Sequence, residues 1–344
     1  MDEPAKPTLG LNDVAKLLVA PGRGILATDA TDSTMDKRMA EVSVTSTPQL
    51  RAKFREIILT TQGYEQYISG VILNDEIIRQ STSSGITFAN LLLQKNILVG
   101  IKVDKKTHDL ANYPGEKIVE GLDGLRERLA EYKNLGVKFS KWRAVIVIGE
   151  KIPTRECIDS NTHATARYAA LSQEAGIVPI VEPEVEMKGG HDIERCAQVT
   201  AATLRSLFYH LNEQKVDLTG LILKINMILP GSEYITKSTS VEVAQKTLEV
   251  MQKSVPTQVP GIVFLSGGQE AVEATQRLND IVKLANAPWQ LSFSFERALE
   301  GPALSVWKGL DENITSAQNA FYHRAKMNSL ASLGKYSPEL ESNG

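Results

Sequence analysis

Several things are scarce in this chain. Cys157 and Cys196 are its two cysteines, each in a helix-like segment and neither at the spacing of a metal ligand. A disulfide framework cannot be built from so few, and a reducing cytoplasm is the expected compartment. The five histidines, His108, His163, His191, His210 and His323, are scattered without ligand spacing, so a zinc site is not expected. A net charge of -3 argues against a nucleic-acid partner, which selects a strongly basic surface. No apolar run is long enough to span a bilayer. The opening residues Met1-Asp2-Glu3-Pro4 have neither the basic nor the apolar region of a secretory signal. No Pro/Gly-rich linker divides the chain, and no G-x-G-x-x-G follows the first strand, which counts against an open dinucleotide-binding sheet.

What is present is a rhythm. Hydrophobic residues make up 42% of the 344 residues, and short apolar runs alternate with amphipathic stretches. Leu11, Val14 and Leu18 space a first short helix. Strand-like runs follow at residues 24–29, 69–73, 97–102, 137–143, 177–182, 221–224, 261–266 and 289–294. Between them lie helix-like segments, including 35–59 with a restart at Thr47-Pro48, then 122–135, 154–174, 191–211 and 241–253. Alternation of this kind predicts a parallel sheet. Eight units predict an α/β fold of the (β/α)8 TIM-barrel type. The reading is one domain over 1–344, with its core at about 11–336 and a short polar, poorly ordered tail from Ser337.

Chemistry in such barrels gathers at the C-terminal ends of the strands. Leu221-Ile222-Leu223-Lys224-Ile225-Asn226-Met227 places one lysine in an apolar run. A buried ammonium is costly, so Lys224 is either satisfied by carboxylates or used as an amine nucleophile with a lowered pKa. Lys102 and Glu182 also end apolar runs, and Lys141 holds the corresponding place on its own strand. Asp29, Glu184, Arg143, Ser266, Ser294 and Arg297 complete the polar strand ends. Lysines mixed with carboxylates suit Schiff-base chemistry, in which Asp29, Glu182 or Glu184 moves protons. A buried ion-pair network is the competing reading of the same residues. Ser266-Gly267-Gly268 before a helix can cradle an anion on backbone N–H groups, and Arg297 can clamp it. Lys37, Arg38, Lys102 and Arg143 form a second basic group, suited to the far phosphate of a doubly phosphorylated substrate.

Several motifs stand in one order: Gly24-Ile25-Leu26-Ala27 with Asp29, Gly100 to Lys105, Lys141-Trp142-Arg143, Val181-Glu182-Pro183-Glu184, Leu223-Lys224, Phe264 to Gln269 and Arg297-Ala298-Leu299. In these the sequence resembles the class I fructose-1,6-bisphosphate aldolases, from about Leu11 to Tyr336. The resemblance implies a lyase of glycolysis and gluconeogenesis, without metal or cofactor, and a homotetramer. It implies that Lys224 forms an iminium with the substrate ketone and that Glu182 carries the proton. Asp29, Lys141 and Glu184 would set protonation. Ser266, Gly267 and Arg297 would hold one phosphate, and Lys37, Arg38, Lys102 and Arg143 the other. Departures from the family pattern are Ala30-Thr31 after Asp29, Ile225 for a proline, and Glu296 for the glycine before the last arginine. No tyrosine ends the chain, so another group or water is expected to protonate the enamine. A Schiff-base aldolase for another ketose phosphate, such as sedoheptulose bisphosphate, and an inactive barrel serving as a binding scaffold are the alternatives.

Overall fold

A computed structural model describes residues 9–343. Eight strands close a parallel barrel: β1 (Gly24–Ala27), β2 (Ile68–Leu73), β3 (Leu98–Lys102), β4 (Phe139–Ile146), β5 (Val178–Val185), β6 (Ile222–Ile225), β7 (Gly261–Phe264) and β8 (Gln290–Phe295). Each strand pairs with the next, and β8 returns to β1 through Ile25 and Ser294. Helices occupy the connections, as the sequence predicts.

The lumen is built in layers. Side chains alternate along a strand, so every second residue points inward. Ile25, Ala27, Phe139, Val178, Ile180 and Ile222 share one apolar cluster with Val14, Ala15 and Leu18 of the first helix (Leu11–Leu18) and with Val19 just after it. That helix closes the end of the barrel where the strands begin. Two residues further along the same inward rows stand Asp29, Lys141, Glu182 and Lys224. The lower layers thus hold the fold by excluding water, and the layer above them carries charge.

Phe139 fills much of the lower lumen, and glycines make room for it. A Cβ on Gly100 would lie 2.2 Å from the Phe139 ring.

Two strands differ from the sequence reading. β4 and β5 each run eight residues and stay paired from Phe139 opposite Val178 to Ile146 opposite Val185. The charged residues at 141, 143, 182 and 184 read as strand ends, but Ala144-Val145-Ile146 and Val185 continue the pairing beyond them. Lys141 and Glu182 therefore sit within strands. The sequence also gave no sign of the antiparallel hairpin Lys106–Asp109 with Lys117–Glu120, whose first strand is fully exposed and lacks an apolar row.

The tail corrects the expectation of disorder from Ser337. A 3-10 helix spans Pro338–Asn343. The Glu341 carboxylate accepts hydrogen bonds from Arg324 at 2.7 Å and from the Tyr336 hydroxyl at 2.9 Å, and lies 2.8 Å from His323 Nε2. The pattern of polar residues hid this because two of the partners, His323 and Arg324, lie on the preceding helix.

The Gly100→Ala substitution is expected to destabilise the protein by about 1–3 kcal/mol through overpacking. Thermal unfolding checks it. Combined with Phe139→Leu, it should cost less than the sum of the two single changes, since they share one space.

Candidate active site

The C-terminal ends of the strands open into a cavity of about 920 Å³. All the candidate residues line it: Asp29, Lys37, Arg38, Lys102, Lys141, Arg143, Glu182, Glu184, Lys224, Ser266, Gly267, Ser294 and Arg297. At its floor four buried charges form a chain. Lys224 Nζ lies 3.0 Å from Glu182 Oε1. Lys141 Nζ lies 3.2 Å from the other oxygen, Glu182 Oε2, and 2.6 Å from Asp29 Oδ2. These four side chains are each at most 5% exposed.

The strand order explains the contact. β5 pairs with β6 through Val181 and Leu223, so the next residues, Glu182 and Lys224, stand side by side and face inward. Lys141 comes from β4, on the other side of β5.

Burial works against every charge here, and the neighbours decide each outcome. Burial would raise the Asp29 carboxyl, but Lys141, Lys102 and Lys224 outweigh it and hold it at about 2. Burial would raise Glu182 as well, yet Lys141, Lys224 and Arg143 bring it below the usual carboxylate range. Burial would discharge Lys141, but Asp29 and Glu182 hold its pKa well above the ordinary value. Lys141 is therefore a fixed ammonium between two carboxylates. Lys224 has one carboxylate contact and faces the cavity, which makes it the lysine with freedom to react.

The Ser266-Gly267-Gly268 loop also lines the cavity. Gly267 and Gly268 take positive φ values of 55° and 89°, the region glycine enters without strain. A Cβ at Gly268 would come within 2.9 Å of an Arg297 guanidinium nitrogen, so Arg297 lies directly over this loop. The next helix begins at Ala271 with Glu270 as its cap, three residues later than Gly268. Ser294 is buried, and its hydroxyl has no hydrogen-bond partner.

The second basic group is less free than the sequence implies. Arg143 Nε pairs with Glu184 Oε2, Lys102 lies 3.4 Å from Asp104, and Arg38 Nη1 donates to Glu296 Oε1 at 2.9 Å. Among the described residues Lys37 makes no ion pair. Glu296 thus turns towards Arg38. Asp104 was not singled out by the sequence; its place just after β3, beside Lys102, was the available signal. Glu300 was also missed. It is buried one helical turn beyond Glu296 with one oxygen unpaired, and burial with the Glu296 charge raises it to about 8.

A closed parallel barrel with a buried lysine–carboxylate chain and a basic, glycine-lined cavity at its C-terminal end has the layout of a barrel enzyme. Comparison narrows the class. Residues 10–344 match the family model described as fructose-bisphosphate aldolase class-I. The chain is 51% identical over 327 residues to a probable fructose-bisphosphate aldolase class 1 of Xanthomonas axonopodis pv. citri, covering 95% of this chain and 98% of that one. It is 43% identical to the fructose-bisphosphate aldolase of Dictyostelium discoideum, covering 96% and 93%. A solved structure of the Plasmodium falciparum fructose-bisphosphate aldolase, in complex with TRAP and an inhibitor, superposes with a TM-score of 0.93 at 42% identity over 95% of each chain. The chain belongs to the class I fructose-bisphosphate aldolase family and is, with it, a carbon–carbon lyase.

Glu300 gives a pH dependence of stability. Unfolded, its carboxyl ionises near 4.5; folded, near 8. Between those values the folded state keeps a proton that the unfolded state releases. This group therefore lowers stability as pH rises, by up to about 1.4 kcal/mol per pH unit. Glu300→Gln should remove that slope. Denaturant titrations of both proteins from pH 5 to 8 check this, and parallel stability curves would refute it.

Proposed function

We propose that the chain cleaves fructose 1,6-bisphosphate to dihydroxyacetone phosphate and glyceraldehyde 3-phosphate by way of an iminium on Lys224. What carries the reading is the sharing of Glu182 between Lys224 and Lys141, at 3.0 and 3.2 Å. A nucleophilic amine must lose its proton before it attacks. Glu182 is in position to receive that proton, and Lys141 stays charged beside it.

The neutral Lys224 amine adds to the C2 ketone of the open-chain sugar. The carbinolamine then loses its hydroxyl as water, with Glu182 supplying the proton, and leaves a protonated imine. That cation draws electrons from the C3–C4 bond as Glu182 accepts the proton of the C4 hydroxyl. Glyceraldehyde 3-phosphate departs, and an enamine remains. Protonation at C3 and hydrolysis release dihydroxyacetone phosphate and restore the amine. Water or another group of the site supplies the C3 proton.

Asp29 and Lys141 fix the charge state of Glu182, and Glu184 holds Arg143 in place. Ser266, Gly267 and Arg297 bind the C1 phosphate, with Ser294 beside them. Lys37, Lys102, Arg143 and Arg38 face the C6 phosphate. The two unbridged cysteines, both buried, fit a cytoplasmic enzyme. None of the helices described is long and apolar enough to cross a membrane. A homotetramer is the assembly proposed on family resemblance.

Reduction with borohydride in the presence of dihydroxyacetone phosphate should fix the ligand carbon skeleton to the Lys224 peptide, read by mass spectrometry. Absence of that adduct in the folded wild-type protein would end the proposal. Glu182→Gln should lower kcat by about 10²–10⁴-fold, the range for loss of a proton carrier. Stopped-flow analysis of the cleavage step measures this directly.

A further inference from the structure

The cavity has two unequal anion sites. On the side of the loops after β7 and β8, Arg297 makes no ion pair among the described residues. It lies over Gly268 in a loop of two glycines with positive φ, and the unpartnered Ser294 hydroxyl lines the same cavity. Of the four cations assigned to the far phosphate, three already carry a carboxylate of the chain. Arg143 has Glu184, Lys102 has Asp104, and Arg38 has Glu296.

The Arg38–Glu296 pair differs from the other two in its position. Arg38 belongs to the helix Asp32–Glu41 after β1, and Glu296 directly follows β8. β1 and β8 are neighbours in the closed barrel, so the pair spans the wall between the two phosphate sites. Both side chains are partly open to the cavity, 17% and 26% exposed, where a substrate anion can compete for the guanidinium. Glu300 lies close by but keeps its proton near neutral pH under burial and the Glu296 charge. Glu296 is then the anion that neutralises Arg38.

We propose that Glu296 is a specificity-determining residue: by pairing with Arg38 it makes the enzyme less dependent on the second phosphate, so ketose 1-phosphates compete with ketose 1,6-bisphosphates as substrates. A bisphosphate must displace the Glu296 carboxylate to use Arg38, whereas a 1-phosphate has no second anion and loses nothing. Charge-assisted contacts to phosphate are among the stronger polar interactions, so the occupation of one guanidinium shows in KM. This inference rests on the aldolase reading above.

The test compares kcat/KM for fructose 1,6-bisphosphate and fructose 1-phosphate in wild type, Glu296→Gln and Glu296→Gln/Arg38→Met. Freeing Arg38 in Glu296→Gln should raise the bisphosphate-to-monophosphate ratio roughly tenfold, through KM rather than kcat. Removing Arg38 from that background should abolish the gain. An unchanged ratio, or an equal change for both sugars, would overturn the inference. Borohydride trapping with dihydroxyacetone phosphate separates the two failures. A wild-type adduct at Lys224 with an unmoved ratio refutes the role of Glu296 alone, while the absence of any adduct removes the aldolase reading and this inference with it. If Glu296→Gln does not fold, Glu296→Gly, which restores the residue usual in the family, replaces it with the same expected rise.

Discussion

The site depends on one carboxylate divided between two ammonium-forming groups. Glu182 presents one oxygen to Lys224 and the other to Lys141, all out of bulk water. An isolated charge there would be too costly to keep, and each member persists because its neighbours compensate it. The compensation is uneven. Lys141 has two acids and Lys224 has one. That difference, produced by strand order, leaves Lys141 locked between two acids and Lys224 with one acid and the cavity beside it.

The same arithmetic recurs around the cavity with other outcomes. Arg143, Lys102 and Arg38 each meet an acid of the chain, while Arg297 meets a glycine loop and open space. A cavity rich in cations is therefore not uniformly attractive to anions. Among the candidate phosphate-binding residues, the positive charge left over after internal pairing lies at Arg297, beside Gly268, and at Lys37. Carboxylates such as Glu296 and Asp104 shape the site as much as the lysines do.

Much of the fold was legible because its signals are local. Alternation of apolar runs with amphipathic helices predicted the closed barrel, and the inward rows follow from a period of two. Lys224 stood out because it interrupts an apolar run. Pairing across the barrel was less visible. Nothing near Arg38 in the sequence announces Glu296, 258 positions away, and Glu300 looks like any helical glutamate until burial is known. The ends of β4 and β5 were misread for a related reason: charges that face a lumen look, in sequence, like charges that leave a strand. The hairpin at 106–120 had no apolar row to reveal it.

The unequal lengths of the strands have a further consequence. β4 continues for five residues past Lys141 and β5 for three past Glu182, whereas β6 and β7 are four residues each, and Ser266 and Gly267 lie beyond the end of β7. One side of the ring is thus joined by a longer parallel ladder than the other. Amide exchange should therefore be slowest along the β4–β5 ladder and faster in the Ser266-Gly267 loop beyond β7, where no strand pairing holds the backbone.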